Sequence, residues 1–382
     1  MSPNDRISHR SFHSAERGSE HFIIIQAPET LGFQEQISYV QKHYQETQQQ
    51  LGLAPDTAVF RRIFLSDVLN QASFVRDTDL LDESVAVSIV QQPPLQGSKI
   101  ALLAYHVKAP TPLVKRRLSP KHLLVQQNGQ RHLWSTRLCM CDEETANSSE
   151  KQTHEVFEYL IGALAEHGAN LADHCVRTWI YMKNVDVFYK GMVDSRTKLF
   201  LKHGLTRDTH YIASTGIEGS CAHRFDLVSM DAYSNLDLVP EQTSYLNDFD
   251  ALCATKDYNV TFERGTRIAY NDRAHHYISG TASIDKVGDV VYPGDVLLQL
   301  QRSVENVDVL LRSGQATFAD MVYLIVYLRD PADFRCVDDY FHTHYPDLPV
   351  VIVQGSVCRP AWLIEIEGIA ITKNDAPNLP AF

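Results

Sequence analysis

Three arginines and one glutamate are the residues whose chemistry is easiest to state from the sequence. Arg196, Arg264 and Arg359 each offer a planar guanidinium, which pairs with a carboxylate through two parallel hydrogen bonds in a geometry that lysine cannot supply. Glu365 lies between two isoleucines, and burial would raise the pKa of its carboxyl so that it could act as a general acid. The alternative for Glu365 is a strand residue that faces solvent or pairs locally. The first interpretation favours acid-catalysed chemistry on a small carboxylated substrate.

A tyrosine and a cysteine are placed so that they could complete such a site. Tyr189 precedes Arg196 by seven residues, a spacing that puts both side chains on one face of a helix. Tyr189 could then donate a hydrogen bond to the ligand. Cys358 precedes Glu365 by seven residues, and we expect it to line the pocket, although a free cysteine is as often a small buried hydrophobic residue.

The string SGTAS contributes small residues to the candidate site. Ser279, Gly280 and Ala282 predict a strand whose backbone comes close to the ligand. Glycine in a strand can equally mark a bulge, and that alternative stays open.

The elements that must hold these residues occur three times along the chain. An apolar strand ending in a polar residue reads TAVFRRIFLSD, HCVRTWIYMKN and DMVYLIVYLRD, and it ends at Asp67, Asn184 and Asp330. Twenty-four residues separate Asp67 from Gln91, and the same number separates Asp330 from Gln354. This spacing predicts one unit copied three times, against the alternative that such strings arise by chance in any α/β protein.

The unit boundaries follow from these repeats. We place the units at residues 21–110, 120–235 and 256–373, with residues 1–20 as a polar tail and 374–382 as a second tail. The second copy is longer, and its insertion is predicted in the loop around residues 202–209. Copies two and three each open with a hairpin, whereas the first copy is predicted to lack part of its hairpin.

The third copy resembles the Rid (RidA/YjgF) superfamily. The strings that carry the resemblance are HHYISGTASID, GDVLLQLQRSVENVDVLL, MVYLIVYLRDPADF and RPAWLIEIEGIAI. The resemblance implies an α/β (α+β) fold of βαββαβ, chorismate-mutase-like units, which assemble as trimers with ligand clefts between neighbouring units. Three copies in one chain would form an intrachain pseudo-trimer.

Several strings are similar to the chorismatase branch, which hydrolyses or rearranges chorismate. Val357-Cys358-Arg359 matches its VCR-type motif, and the strand IEIE that contains Glu365 matches its VEIE-type strand. The resemblance implies pyruvate release, with Glu365 as the catalytic acid and Cys358 as an influence on the product. It also implies that the substrate contacts are Tyr189, Arg196, Arg264, Arg359, Cys358, Ser279, Gly280 and Ala282.

Two other functions stay open. Single-unit Rid imine deaminases hold the substrate carboxylate with an arginine two residues after a proline, but Pro349 is followed by Val350 and Val351. A noncatalytic binding protein is the further alternative. At the position of Glu365 we expect Asp226 in the second copy and Leu102 in the first, which predicts one working cleft, between the second and third units.

Composition excludes several other classes of function. The net charge of −12 disfavours nucleic acid as a partner, and no apolar run is long enough for a membrane span. Seven cysteines without scaffold-like spacing predict free thiols in the cytoplasm. Cys139-Met140-Cys141 has no second cysteine pair at zinc-binding spacing, so neither a metal nor a cofactor is expected. We expect a monomeric pseudo-trimer or a homo-oligomer of such units.

Overall fold

Three mixed sheets, each backed by helices, make up the protein in a computed structural model, which describes residues 6–14, 18–95, 97–140, 143–253 and 260–382. The first unit contains β1 (Ile7–His13), β2 (Ser19–Gln26), α1 (Phe33–Gln50), β3 (Ala58–Leu65), α2 (Val68–Arg76), β4 (Ala86–Gln91) and β5 (Ile100–Lys108). Its strand order is β1-β2-β5-β3-β4, with β3 and β4 parallel and the other neighbours antiparallel.

The second and third units repeat this arrangement with one extra edge strand each. The second contains β6 (Val114–Ser119), β7 (His122–Gln127), β8 (Gln130–Cys139), α3 (Ser149–Ala165), α4 (Leu171–His174), β9 (Cys175–Met182), α5 (Val185–Lys202), β10 (Ala213–Glu218) and β11 (Val228–Asn235). The third contains β12 (Thr243–Tyr245), β13 (Gly265–Ala269), β14 (Arg273–Ala282), α6 (Val296–Ser313), β15 (Met321–Leu328), α7 (Phe334–His344), β16 (Val350–Gln354) and β17 (Ile364–Lys373). Their strand orders are β6-β7-β8-β11-β9-β10 and β12-β13-β14-β17-β15-β16.

The polar residue that ends each repeated strand begins the helical segment that follows. Asp67 accepts a hydrogen bond from the Asn70 amide at the start of α2, and Asp330 accepts one from the Ala332 amide in the turn that leads into α7. Asn184 precedes α5 with a left-handed backbone (φ 46°). The repeated pattern therefore marks a strand followed by a helix N-cap.

The inner faces of the three sheets pack on one aromatic core. Phe60 of the first unit stacks on Trp134 of the second, with ring centroids 5.0 Å apart. Trp134 contacts Tyr233 at 4.7 Å, and Tyr233 contacts Tyr277 of the third unit at 5.5 Å. This shared core joins the three units into the predicted α+β pseudo-trimer.

Backbone hydrogen bonds close the ring of units. The Gln91 amide donates to the Ser220 carbonyl at 2.7 Å, from the first unit to the second. The Glu218 amide donates to the Ser356 carbonyl at 3.1 Å, and the Gln354 amide donates to the Pro93 carbonyl at 2.8 Å. Because each unit donates to the next, the geometry at the unit boundaries is fixed by main chain as well as by packing.

The structure corrects the predicted tails and the first hairpin. Residues 7–13 form β1, which pairs with β2 along its whole length, so the first unit has its hairpin and begins before residue 21. Only Ile7 and Phe12 of this edge strand are apolar, and an edge strand can be this polar, which is why the segment reads as a tail. The segment 374–382, the second predicted tail, ends in a packed residue: Phe382 is 4% exposed, and its ring lies 4.6 Å from that of His275.

Two further boundaries differ from the sequence prediction. Strand β12 pairs with β13, so residues 243–245 belong to the third sheet rather than to a linker. Helix α5 has 18 residues, against 9 in α2 and 11 in α7, so much of the insertion of the second copy lengthens a helix rather than the loop at 202–209. None of the helices in the described ranges has the length and apolar character that a bilayer crossing requires.

Candidate active site

A cavity of about 270 Å³ lies between the second and third units. Eight of the nine predicted site residues line it, namely Tyr189, Arg196, Arg264, Gly280, Ala282, Cys358, Arg359 and Glu365. The remaining walls are formed by Ser214, Thr215, Gly216, Val260, Phe262, Ile284 and Trp362. The predicted residues therefore converge on one cavity from positions far apart in the chain.

Four elements form most of the cavity wall, while Arg264 lies just before β13, and Cys358 and Arg359 lie in the loop between β16 and β17. Helix α5 presents Tyr189 and Arg196 on one face, because seven residues span two turns, and Arg196 lies in the part of α5 by which it exceeds α7. Strand β10 forms the adjoining wall from the same unit. Strands β14 and β17 form the opposite wall, where Ala282 pairs with Glu365. A register shift between Ile278 and Thr281 marks a bulge at Gly280.

Glu365 is a buried carboxyl at the cavity wall. Its side chain lies against Gly280, where a Cβ atom would stand 2.2 Å from Glu365 Oε1. Burial and the neighbouring charge of Glu367 raise the pKa of Glu365 to about 8, and Arg264 and Arg177 oppose this shift. The carboxyl is therefore protonated at neutral pH, as a general acid requires.

A buried ionic network lies behind Glu365 and involves all three units. Glu367 accepts hydrogen bonds from Arg177 Nη2 at 2.5 Å, from Tyr327 at 2.9 Å and from the Thr215 hydroxyl. Thr215 Oγ1 also accepts the amide hydrogen bond of Gly280 at 2.8 Å. Arg62 of the first unit lies 3.7 Å from Glu367. Since Glu367 is held in place by these partners, its charge acts on Glu365 from a defined position.

Asp231 is the counterpart of Glu367 in the second unit and belongs to the same network. It lies 3.4 Å from Arg62 and accepts hydrogen bonds from Ser88 at 2.5 Å and from the Arg137 amide at 2.9 Å. Two arginines and two carboxylates thus balance one another in the core between the units.

The three arginines reach the cavity from both sides. Arg196 donates from Nε to Thr261 at 3.0 Å, and its buried Nη2 has no hydrogen-bond partner in the described part of the chain. Burial lowers the pKa of Arg196. Arg264 donates to the Cys253 carbonyl at 3.4 Å, and Arg359 lies 4.8 Å above the ring of Trp362. The cavity therefore offers cationic groups at separate points, with Arg196 in the second unit and the other two in the third.

The cysteine of the site is a neutral thiol. Burial and the charge of Glu365 raise the pKa of Cys358 to about 12, although the adjacent Tyr189 hydroxyl and Arg359 oppose this. Burial likewise raises the pKa of Tyr189. Both groups stay protonated at neutral pH, so they can shape the pocket and donate hydrogen bonds, whereas Cys358 is unsuited to nucleophilic attack.

Ser279 does not reach the cavity, contrary to its predicted contact with the ligand. Its hydroxyl donates to the Glu263 carbonyl at 2.6 Å and accepts the Ser214 amide hydrogen bond at 2.9 Å. The strand turns Gly280 and Ala282 to the cavity instead, because side chains alternate across a strand. Ser279 therefore ties the second unit to the third.

The predicted counterparts of Glu365 were wrong in register. Glu365 pairs with Tyr327, and Ser229 pairs with Tyr181 at the same position of β9, so Ser229 replaces Asp226 as the counterpart in the second unit. In the first unit, by the same comparison with β3, the counterpart is Ala101 rather than Leu102. The carboxyl is still confined to the third unit.

Thr215 and Trp362 are wall residues that the sequence analysis missed. The position of Thr215 could have been predicted from the strand register, because Thr215 occupies in β10 the place that Val351 occupies in β16. The Trp362 indole donates to the Ser283 carbonyl at 3.0 Å and stacks beneath Arg359. The sequence signal that could have identified Trp362 as a wall residue is its position three residues after Arg359. In the described ranges, no group of three His, Cys, Asp or Glu side chains could hold a metal ion.

Several known proteins are similar to part of this chain. A family model described as Endoribonuclease L-PSP matches residues 266–372. The 3-aminoacrylate deaminase RutC of Acinetobacter baylyi is 28% identical over 96 residues, which are 25% of this chain and 76% of the deaminase. RidA of the Antarctic bacterium Psychrobacter sp. aligns with 34% of this chain and 99% of its own, at 21% identity and a TM-score of 0.29.

One similar structure extends over nearly the whole chain. The crystal structure of a chorismatase covers 94% of this chain and 100% of its own, with a TM-score of 0.66 and 16% identity. At this identity the likeness shows a common fold, which includes all three units.

Proposed function

We propose that this chain, whose third unit matches the L-PSP family model and whose fold is that of a chorismatase, cleaves or rearranges chorismate, or a related carboxylated enol ether, and releases pyruvate. The observation that carries the proposal is the protonated Glu365 carboxyl in a cavity that three arginines line. An enol ether needs a proton on carbon, and its carboxylates need cations. The cavity supplies both.

The reaction begins with proton transfer from Glu365 to the methylene carbon of the enolpyruvyl group. The ether carbon becomes an oxocarbenium centre, and the Glu365 carboxylate that remains stabilises it. Water adds to this carbon and returns a proton to Glu365. The bond between the hemiketal carbon and the ring oxygen then breaks, and the proton of the hemiketal hydroxyl passes to the ring oxygen, so that pyruvate and a ring alcohol leave. A ring hydroxyl can take the place of water if it attacks the ring carbon that carries the ether oxygen. The bond between that carbon and the ether oxygen then breaks, pyruvate leaves, and the proton of the hydroxyl returns to Glu365.

The arginines orient the substrate for this step. Arg196 holds one carboxylate from the second unit, and Arg264 and Arg359 hold the other from the third unit. Two separated ion pairs fix the enol ether relative to Glu365, and such positioning lowers the entropic part of the barrier. The neutral Tyr189 and Cys358 pack beside the reacting group, where they decide whether water can reach it.

The proposal is tested by incubating the purified full-length chain with chorismate and following chorismate loss and pyruvate formation together. We expect one pyruvate for each chorismate consumed, and no pyruvate above background with the isosteric variant Glu365→Gln. Pyruvate absent from the wild-type reaction at enzyme concentrations near those of the substrate would rule out this activity. Wild-type activity that Glu365→Gln retains would point to a different acid.

A second candidate, imine or enamine deamination, is supported by the match to a 3-aminoacrylate deaminase. In this cavity the strand position of the carboxylate-binding arginine is Thr215, whose hydroxyl is already bonded to Glu367, Arg177 and Gly280. A carboxylate would therefore have to use the other arginines. Ammonia release from an amino-acid-derived imine, without pyruvate release from chorismate, would favour the deaminase. Activity towards neither substrate would favour a noncatalytic binding protein.

A further inference from the structure

Two thiols meet in the second unit, away from the candidate active site. Cys139 is the last residue of β8, and Cys221 lies in the loop between β10 and β11. The two side chains are close enough to hydrogen-bond to each other. Cys139 is half-buried, whereas Cys221 is 5% exposed. One thiol can therefore be reached from solvent, and the second lies directly behind it.

Charged groups flank the two thiols in an unequal way. Lys121 Nζ lies 3.6 Å from Cys139 Sγ, where an ammonium group stabilises a thiolate. Cys221 Sγ donates to Asp226 Oδ2 at 2.8 Å, and Lys183 Nζ binds the other oxygen of Asp226 at 2.6 Å. The hydrogen bond with Cys139, burial and the charge of Asp226 raise the pKa of Cys221 well above its usual range, so Cys221 stays a thiol until it attacks, and Asp226 is the nearest group to take up its proton. The outer cysteine is thus placed to react first, and the inner one has a proton acceptor.

We propose that Cys139 and Cys221 form a reversible redox pair that reacts with hydroperoxides. The Cys139 thiolate attacks the peroxide, the O–O bond breaks, and Cys139 becomes a sulfenic acid while the peroxide is reduced to water or an alcohol. Cys221 passes its proton to Asp226 and attacks the sulfenyl sulfur. The disulfide forms, hydroxide leaves and takes up a proton as water, and a cellular dithiol restores both thiols.

The disulfide would join the end of β8 to the loop that precedes β11. Cys139 pairs with Ser229 at the start of β11, so the bond would close the segment between Cys221 and Ser229 against its own sheet. The proposed reaction also gives a role to the buried Asp226, which does not line the candidate active site. Cys141, from the CMC string, lies outside the described residues and is the competing partner that an experiment must separate.

Cys336 serves as a matched control within the same chain. It is half-buried like Cys139, but its thiol donates to the Asp333 carbonyl at 3.1 Å, and burial with the Asp333 charge raises its pKa. Cys139 has an ammonium where Cys336 has acidic neighbours. A difference between the two in oxidation rate therefore reports the local charges rather than accessibility.

The test treats the full-length reduced protein with limiting hydrogen peroxide, blocks remaining thiols with N-ethylmaleimide and maps the peptides by mass spectrometry. We expect a Cys139–Cys221 disulfide that dithiothreitol reverses, formed about tenfold or more faster than Cys336 oxidises, since the thiolate is the reacting species. In Cys221→Ser, and equally in Cys221→Ala, dimedone should trap a sulfenic acid at Cys139. In Cys139→Ser, Cys221 should stay reduced.

Three results would overturn the proposal. The first is a disulfide between Cys139 and Cys141 in place of the predicted one. The second is oxidation of Cys139 no faster than that of Cys336. The third is a wild-type protein whose Cys221 remains fully alkylated after Cys139 has been consumed. The wild-type map needs no variant, so it decides the matter even if a substituted protein folds poorly.

Discussion

The Glu365 carboxyl occupies the space that any side chain at Gly280 would need. A Cβ atom on residue 280 would lie 2.2 Å from Glu365 Oε1 and 2.8 Å from Glu365 Cδ. The small residue in the SGTAS string thus makes room for the acid, rather than for the ligand alone. The same glycine donates its amide hydrogen bond to Thr215, which contacts Glu367 behind the acid.

We predict that Gly280→Ala displaces the carboxyl and lowers turnover by about 100-fold, a typical contribution of a placed acid. The clashing atoms belong to the end of a flexible side chain, so the free energy of unfolding should fall by less than about 2 kcal/mol. Pyruvate-release kinetics and chemical denaturation measure the two effects. The control is Gly162→Ala in α3, where a Cβ meets nothing within 4 Å. Unchanged turnover in Gly280→Ala would contradict the placement of Glu365.

Turnover should depend on pH through the proton of Glu365. Because the pKa of this carboxyl is about 8, the acid is present at neutral pH and is lost above it. We expect a rate that is level from neutral pH to about 8 and then falls about tenfold per pH unit. A rate that rises through this range would mean that Glu365 acts as a base.

The same proton can be followed without substrate, by comparing the stability of wild type with that of Glu365→Gln. The unfolded carboxyl releases its proton near pH 4.5, whereas the folded one keeps it to about 8. Wild type should therefore lose stability relative to the variant as pH rises between these values, by a few kcal/mol in total. Parallel stability curves would show that the carboxyl is not buried as described.

Glu367 and Asp231 offer a matched pair for testing the network behind the acid. Both carboxylates bind Arg62, but only Glu367 raises the pKa of Glu365. Glu367→Gln should move the alkaline fall of the rate to lower pH, because it removes a negative charge and leaves Arg177 without that partner. Asp231→Asn should leave the fall in place. Each change breaks a buried ion pair and should cost about 3 kcal/mol or more of stability. Equal pH profiles for both variants would contradict the account.

Replacing Arg196 should stabilise the fold and weaken substrate binding. Its Nη2 is buried without a partner among the described residues, so Arg196→Met should raise the free energy of unfolding by about 1 kcal/mol. The same change should raise KM about 10- to 100-fold, since a charge-assisted pair with a substrate carboxylate is lost. Arg131→Met is the control, because Arg131 is already paired with Asp237 at 2.7 Å. A destabilised Arg196→Met with unchanged KM would assign Arg196 a purely structural role.

Local patterns predicted part of the candidate site, and the resemblance to the chorismatase branch supplied the other residues. Seven residues between Tyr189 and Arg196 fixed their common helical face, and the apolar neighbours of Glu365 indicated a buried strand position. The repeated strand with its polar cap located the three units. These features depend only on neighbours along the chain, which is why the sequence reveals them.

Contacts between units were beyond such reasoning. Glu367 meets Arg177 and Arg62, which belong to the other two units, and no local pattern pairs them. The predicted counterpart Asp226 is an acidic residue like Glu365, but it lies three positions away from the residue that the strand register places there, Ser229. The shared pairs Gly219-Ser220 and Gly355-Ser356 give an alignment without gaps, in which Ser229 falls opposite Glu365.

The central claim is that a carboxylated enol ether binds in the cavity between the second and third units with its methylene at Glu365. The most direct measurement is a crystal structure of Glu365→Gln grown with chorismate, since the variant should bind without turnover. We predict one carboxylate on Arg196, the other on Arg264 or Arg359, and the enolpyruvyl methylene beside residue 365. Chorismate bound elsewhere, or an empty cavity at saturating chorismate, would contradict the account.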